Sequence, residues 1–183
     1  MNRWPWQVSV WTRFRGTPAE VWALQTDPDK VRAMLGPLLS FRIGDADGFR
    51  AAIASASSGR FEGKLAGPIG VLGLAWPFEL REVKPLESFV DESSNGVFES
   101  FVHRHRLESA SDGFVRYTDE VRFVPRRGPE AWIADAVRRL FVRRHLRAAT
   151  WLEADPQARG VAVIRRVNPV GAEVEEPDME DAG

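Results

Sequence analysis

Ionisable side chains that share a facing concentrate in two consecutive stretches, 97–108 and 114–124. Their odd positions give Phe101, His103, His105 and Leu107, then Val115, Tyr117, Asp119, Val121 and Phe123; their even positions carry Arg104, Arg106, Glu108, Arg116, Glu120 and Arg122. Side chains alternate across a strand, so the odd set forms the inner face of a hairpin and the even set its solvent face. Two imidazoles, a phenol and a carboxylate on an otherwise apolar face are compatible with three kinds of chemistry. They can close an internal network: setting Leu107 opposite Val115 across the turn places His105 beside Tyr117 and His103 beside Asp119. They can fix the polar end of a ligand. Or His103, His105 and Asp119 can serve as acid and base, imidazole being the side chain that titrates near neutral pH. A metal would need a three-ligand set, which the His-x-His pair and Asp119 could complete. Alternate strand positions recur by chance, however, and no metal is expected. His145, among the helix arginines, is expected to be exposed.

Such a face needs a large partner to cover it. The chain has 183 residues, 44% of them hydrophobic, enough for one domain that buries roughly 70% of its unfolded surface and leaves room for a cavity. With no cysteine, a disulfide framework, a thiol nucleophile and a thiolate metal site are all excluded, and the composition fits a reducing compartment. The opening Met1-Asn2-Arg3-Trp4-Pro5-Trp6-Gln7 lacks an apolar run, and no stretch approaches the roughly 18 apolar residues of a membrane span. A cytoplasmic protein without an integral membrane segment is expected.

Residues 4–15 alternate as a half-buried strand. Thr17-Pro18-Ala19-Glu20 then reads as an N-cap, a proline in the first helical turn and a capping glutamate. Asp27-Pro28 opens a second short helix, which carries Val31, Met34 and Leu35 inward until Gly36-Pro37. Strands are expected over 38–43, 49–56, 78–83, 88–92, 97–108 and 114–124, joined by short turns as an antiparallel meander. The glycine-punctuated segment 63–77 is expected to be an irregular packed connection or a lid. Residues 129–155 read as one helix of about 26 residues, about 39 Å long. Its apolar stripe runs through Ile133, Val137, Leu140, Phe141 and Leu146, extended by Trp132, Ala136, Ala149 and Trp151. Val161, Val163 and Ile164 could add an edge strand or lie on the surface. Beyond Arg166 the chain carries only acidic charge, at Glu173, Glu175, Glu176, Asp178, Glu180 and Asp181. That segment is expected to be disordered and dispensable for the fold.

A meander with one apolar face and a single long helix is satisfied by a curved sheet wrapped around the helix, with space for a ligand between them. The expected lining is Phe101, His103, His105, Tyr117, Asp119, Val121 and Trp76 from the sheet, and Ile133, Val137, Leu140 and Phe141 from the helix. The sequence has no Gly-x-Ser-x-Gly elbow, phosphate-binding loop or dinucleotide glycine fingerprint, so no cofactor is expected. Arg138, Arg139, Arg143, Arg144 and Arg147 lack the interleaved aromatic side chains that would stack bases, and nucleic acid is not an expected partner.

The stretch Phe14-Arg15-Gly16-Thr17-Pro18-Ala19-Glu20-Val21-Trp22 resembles the opening of the SRPBCC or START-like superfamily, the helix-grip proteins that include polyketide cyclases. Phe89-Val90-Asp91, Gly96-Val97-Phe98-Glu99-Ser100-Phe101-Val102-His103-Arg104-His105, Thr118-Asp119-Glu120-Val121 and Val124-Pro125 resemble a bacterial branch with a His-x-His strand. Val97 stands where that branch usually has proline, Phe101 where it often has tryptophan and Ser93 where it often has glutamine. The resemblance implies an α+β helix-grip domain over residues 1–155: about seven antiparallel strands, two short helices after the first, and a long C-terminal helix. Residues 156–183 would be an extension. It also implies binding of a small hydrophobic molecule such as a lipid, polyketide or aromatic compound. A cyclase- or dehydratase-like enzyme using the inner His and Asp residues is the second reading, and a protein-interaction module the third.

Overall fold

The computed structural model describes residues 4–36, 39–67 and 73–167. In chain order the elements are β1 (Trp6–Arg15), α1 (Pro18–Thr26), α2 (Pro28–Leu35), β2 (Ser40–Ile43), α3 (Ala46–Ala54), β3 (Gly59–Ala66), β4 (Gly73–Lys84), β5 (Ser88–Ser93), β6 (Phe98–Ser109), β7 (Phe114–Pro125), α4 (Glu130–Ala148) and β8 (Val161–Arg166). The strands form one curved, unclosed sheet in the order β2-β3-β4-β5-β6-β7-β1-β8, antiparallel throughout.

Local chemistry sets the helix starts. Thr17 accepts from the Glu20 backbone while the Glu20 carboxylate accepts from the Thr17 backbone, a reciprocal capping box that fixes where α1 leaves β1. Asp27 caps α2 by accepting from the Asp29 backbone. Neither helix is long enough to be stable alone, and both depend on packing. Trp22, Leu24 and Met34 supply it, joining Phe14, Phe89, Leu107 and Tyr117 in one core cluster. A second cluster joins Val8, Val10, Phe101, Val121 and Phe123 of the sheet to Ala134, Val137 and Phe141 of α4. Trp76 packs against both.

Four expectations are corrected. Residues 46–54 are helical rather than extended: Asp45 caps the Gly48 backbone, alanines fill the turns, and Phe49 and Ile53 share one buried face. The glycine-rich segment is mostly paired strand, β3 against β4, with Gly63 facing Trp76; residues 68–72 at its tip lie outside the described residues. There a Cβ on Gly63 would stand 2.6 Å from the Trp76 carbonyl oxygen, so the glycine marks a close approach and not a break in the ladder. Helix α4 ends at Ala148, not near 155. Leu152 and Ala154 still pack on the core, but from a chain that turns back to β1 through Arg15 N to Glu153 O and a bridge between Phe14 and Ala154. Trp132, Leu146 and Trp151, placed on the apolar stripe, are exposed.

Residues 161–166 do form an edge strand, with Val8 opposite Ile164, giving eight strands where about seven were expected. The acidic segment from 168 onward lies outside the described residues.

Candidate functional site

The turn between β6 and β7 is two residues shorter than a Leu107–Val115 pairing requires, with Ser109 opposite Val115. The register is therefore shifted by two: Leu107 faces Tyr117, His105 faces Asp119 and His103 faces Val121. The odd positions still point inward, because a two-residue slip preserves the face. The side chains also recover the expected contacts diagonally. His103 Nε2 lies 2.9 Å from Asp119 Oδ1, and His105 Nδ1 lies 3.0 Å from the Tyr117 hydroxyl.

Three further residues complete this network, and all three were missed in the sequence. Asp91 of β5, directly opposite His103, puts Oδ2 at 3.1 Å from His103 Nδ1 and 3.1 Å from His105 Nε2. Its signal was the alternation Phe89, Asp91, Ser93 along a short strand. Arg144 and His145 project inward from α4. The Arg144 guanidinium donates to Gln25 Oε1 and stands 3.4 Å from Asp119 Oδ2. His145 is completely buried rather than exposed, with Nδ1 at 2.9 Å from the Thr12 hydroxyl and Nε2 at 3.2 Å from Asp119 Oδ2. Its ring stacks on Tyr117 with centroids 4.9 Å apart. The signal was helical spacing: Val137, Phe141, Arg144 and Ala148 form one stripe, which the charge of Arg144 disguised.

Burial and charge pull these groups in opposite directions. Burial alone would raise Asp119, yet Arg144 and His103 outweigh it and hold the carboxyl well below the usual range. Asp91 is likewise lowered against its burial, by the charge of His103 and hydrogen bonds from both histidines. Burial would lower His103, but Asp91 and Asp119 reverse that and raise it. His105 is lowered to about 3, by burial and then by repulsion from His103. Burial also lowers His145 and raises Tyr117 well above the ordinary phenol value.

Above this network, between α4 and the inner face of the sheet, lies a cavity of about 400 Å³. Phe101, His103, His105, Trp76, Ile133, Val137, Leu140 and Phe141 all line it, as do Asp91, Gln25 and Arg144. Tyr117, Asp119 and Val121 do not. They are completely buried on β7, where α4 covers the strand, so they support the wall without forming its surface. The remaining lining is apolar, with Phe78, Phe98, Leu74 and Phe41 among it.

The sequence matches the protein family described as Domain of unknown function (DUF8410) over residues 12–152. The chain belongs to that family. No curated protein matches it. Among solved structures, it is similar to protein CV1439 from Chromobacterium violaceum, at TM-score 0.64 and 14% identity over 81% of this chain and 98% of that one. A START superfamily protein from Mycobacterium smegmatis gives TM-score 0.59 at 8% identity, over 81% and 97% of the two chains. A conserved protein from Geobacillus kaustophilus gives 0.54 at 12%, over 82% and 98%. The DUF8410 chain thus has a START-like helix-grip fold. No described helix is long and apolar enough to cross a membrane.

Proposed function

We propose that this DUF8410 protein binds a small hydrophobic molecule between α4 and the sheet, as a carrier or sensor in the cytoplasm. The observation that carries the reading is the make-up of the cavity. About 400 Å³ falls within the range of small-molecule sites, which are apolar enclosures with a few placed polar groups. Two of the polar groups here have unused capacity. Arg144 Nε and Gln25 Nε2 are buried without a hydrogen-bond partner, because the guanidinium and the amide oxygen are turned toward each other. Both residues line the cavity, and donor-bearing side chains at its wall suit a ligand that carries an acceptor oxygen. The expected ligand therefore has an apolar body and at least one carbonyl, hydroxyl or carboxylate oxygen.

The acid–base reading, a cyclase- or dehydratase-like enzyme, ranks second for a geometric reason. All four ring nitrogens of His103 and His105 face protein partners, which leaves none aimed at a ligand. Native mass spectrometry of the purified full-length chain, with solvent extraction of what co-purifies, tests the binding reading. A bound apolar molecule bearing an acceptor oxygen supports it. A chain that carries nothing and takes up no apolar probe refutes it.

A further inference from the structure

Asp91 Oδ2, His103 Nδ1 and His105 Nε2 converge at the cavity wall, all within 4.8 Å of one another, with both Asp91-to-imidazole distances at 3.1 Å. The opposite nitrogen of each ring is already committed. The Tyr117 hydroxyl gives its proton to Asp119, so its oxygen can only accept from His105 Nδ1, 3.0 Å away. Asp119, a carboxylate, can only accept from His103 Nε2. When the rings are neutral with their hydrogens on those far nitrogens, His103 Nδ1 and His105 Nε2 turn lone pairs toward the oxygen of Asp91. A cation held there would replace the proton that otherwise bridges ring and carboxylate.

The two Asp91-to-imidazole distances, 3.1 Å each, suit a metal ion. Ligands bound at about 2.1 Å stand about 3.0–3.4 Å apart for octahedral to tetrahedral angles. We propose that Asp91, His103 and His105 form a three-ligand site for a first-row divalent transition-metal ion, with its remaining coordination open to the apolar cavity. Two imidazoles and one carboxylate suit Zn²⁺ or Fe²⁺ and disfavour Mg²⁺ and Ca²⁺, which prefer all-oxygen sets. The residues behind the ligands are those a metal site needs. Asp119 and Tyr117 hold the outer ring nitrogens, fixing tautomer and orientation. With both rings neutral the charge balance also favours a cation: Asp91 and Asp119 present two carboxylates against the single guanidinium of Arg144, which leans on Asp119 and leaves the cradle clear. The Asp91 side chain is 18% exposed and lines the cavity, which provides an entry path. The site stands whether or not a hydrophobic ligand fills the cavity.

The test uses tag-free full-length protein, stripped with a chelator and titrated with Zn²⁺ by calorimetry. The expected result is saturable binding of one ion per chain, no response to Mg²⁺, and affinity at least about 10-fold weaker in Asp91→Asn. In case that variant does not fold, nitrogen-15 spectra of the histidines in the unaltered protein give a second readout. Zn²⁺ should shift His103 Nδ1 and His105 Nε2 and spare His145. Absence of saturable uptake, uptake unchanged in a folded Asp91→Asn, or shifts centred on His145 would each overturn the proposal. None of these bears on uptake of an apolar probe, so the two readings fail separately.

Discussion

His103 reaches Asp119 across the diagonal of the β6–β7 ladder: the residue directly opposite is Val121, yet the two side chains meet at 2.9 Å. Diagonal neighbours on one sheet face are within reach of long side chains, and His103 so placed joins Tyr117 and His105 of the sheet and Arg144 and His145 of α4 around one buried carboxylate. Asp119→Asn should leave Arg144 buried without its counter-charge, a loss of about 3–5 kcal/mol. Urea unfolding with an unchanged slope would measure it. A loss below about 1 kcal/mol would show that the network does not contribute to stability.

The histidines also predict how stability varies with pH, in protein kept metal-free by a chelator. His105 and His145 stay neutral in the fold below their ordinary value of 6.5, His105 down to about 3. Below 6.5 the unfolded chain binds more protons, so stability falls with falling pH, by up to about 1.4 kcal/mol per pH unit for each histidine still neutral in the fold. His103 has the opposite sign. Its folded value is raised, so its contribution is complete below 6.5 and is lost as pH rises through the raised value. Asp91 and Asp119, both lowered, contribute above the ordinary carboxylate range and lose that contribution as pH falls through their folded values. Stability should therefore peak near pH 6.5. Melting curves at about pH 4.5, 6.5 and 8.5 check this, and a continuous rise toward alkaline pH would contradict the raised His103.

Strand periodicity made the inner face of β6 and β7 legible, and a capping box and an Asp-Pro start made α1 and α2 legible, because each signal is local. The failures have a common cause in tertiary context. Turn length, which sets register, depends on how Ala110 N returns to Phe114 O, a choice the residues Ser109 to Gly113 do not dictate. Phe49 and Ile53 suit a strand or a helix equally; the Asp45 cap and surrounding alanines decided it. Asp91 and Arg144 were hidden by their charge, since charged side chains are rarely buried unless paired, and their partners lie far away in sequence. Of the expected site, the residues lining the cavity from β6 were legible from strand alternation and those on α4 from helical spacing. Those behind it, Tyr117, Asp119 and Val121, share the same pattern and are separated only by where α4 lands.

Filling the cavity should abolish uptake without unfolding the chain. Leu140 is half-buried and lines the space, so Leu140→Trp places an indole where a ligand would lie. The added ring enters existing room, and the overpacking cost should stay near about 1 kcal/mol. Affinity for a fluorescent apolar probe such as N-phenyl-1-naphthylamine should fall at least about 10-fold, since a filled pocket forfeits the burial that drives binding. Equal affinity in the two proteins would place the probe elsewhere.

The C-terminal edge offers a last test, because β8 is all that covers the outer ladder of β1. Six residues of β8 pair with Trp6 to Trp11, Ala162 packs with the α4 cluster, and Gly160 N donates to the same Thr12 hydroxyl that holds His145. Ending the chain after Gly160 should expose β1 as an unpaired edge, which invites pairing with another chain. A loss of about 3 kcal/mol would lower the melting temperature by roughly 6–12 °C at this chain length, with self-association visible by light scattering. Ending it after Val167 keeps β8 and removes the acidic segment, and the melting temperature should move by no more than a few degrees. If that second truncation is also destabilised, repeating the melt at higher salt separates specific packing, which persists, from attraction to the arginine-rich surface, which is screened. Equal melting of both truncations and the full chain would show that β8 adds nothing to the sheet.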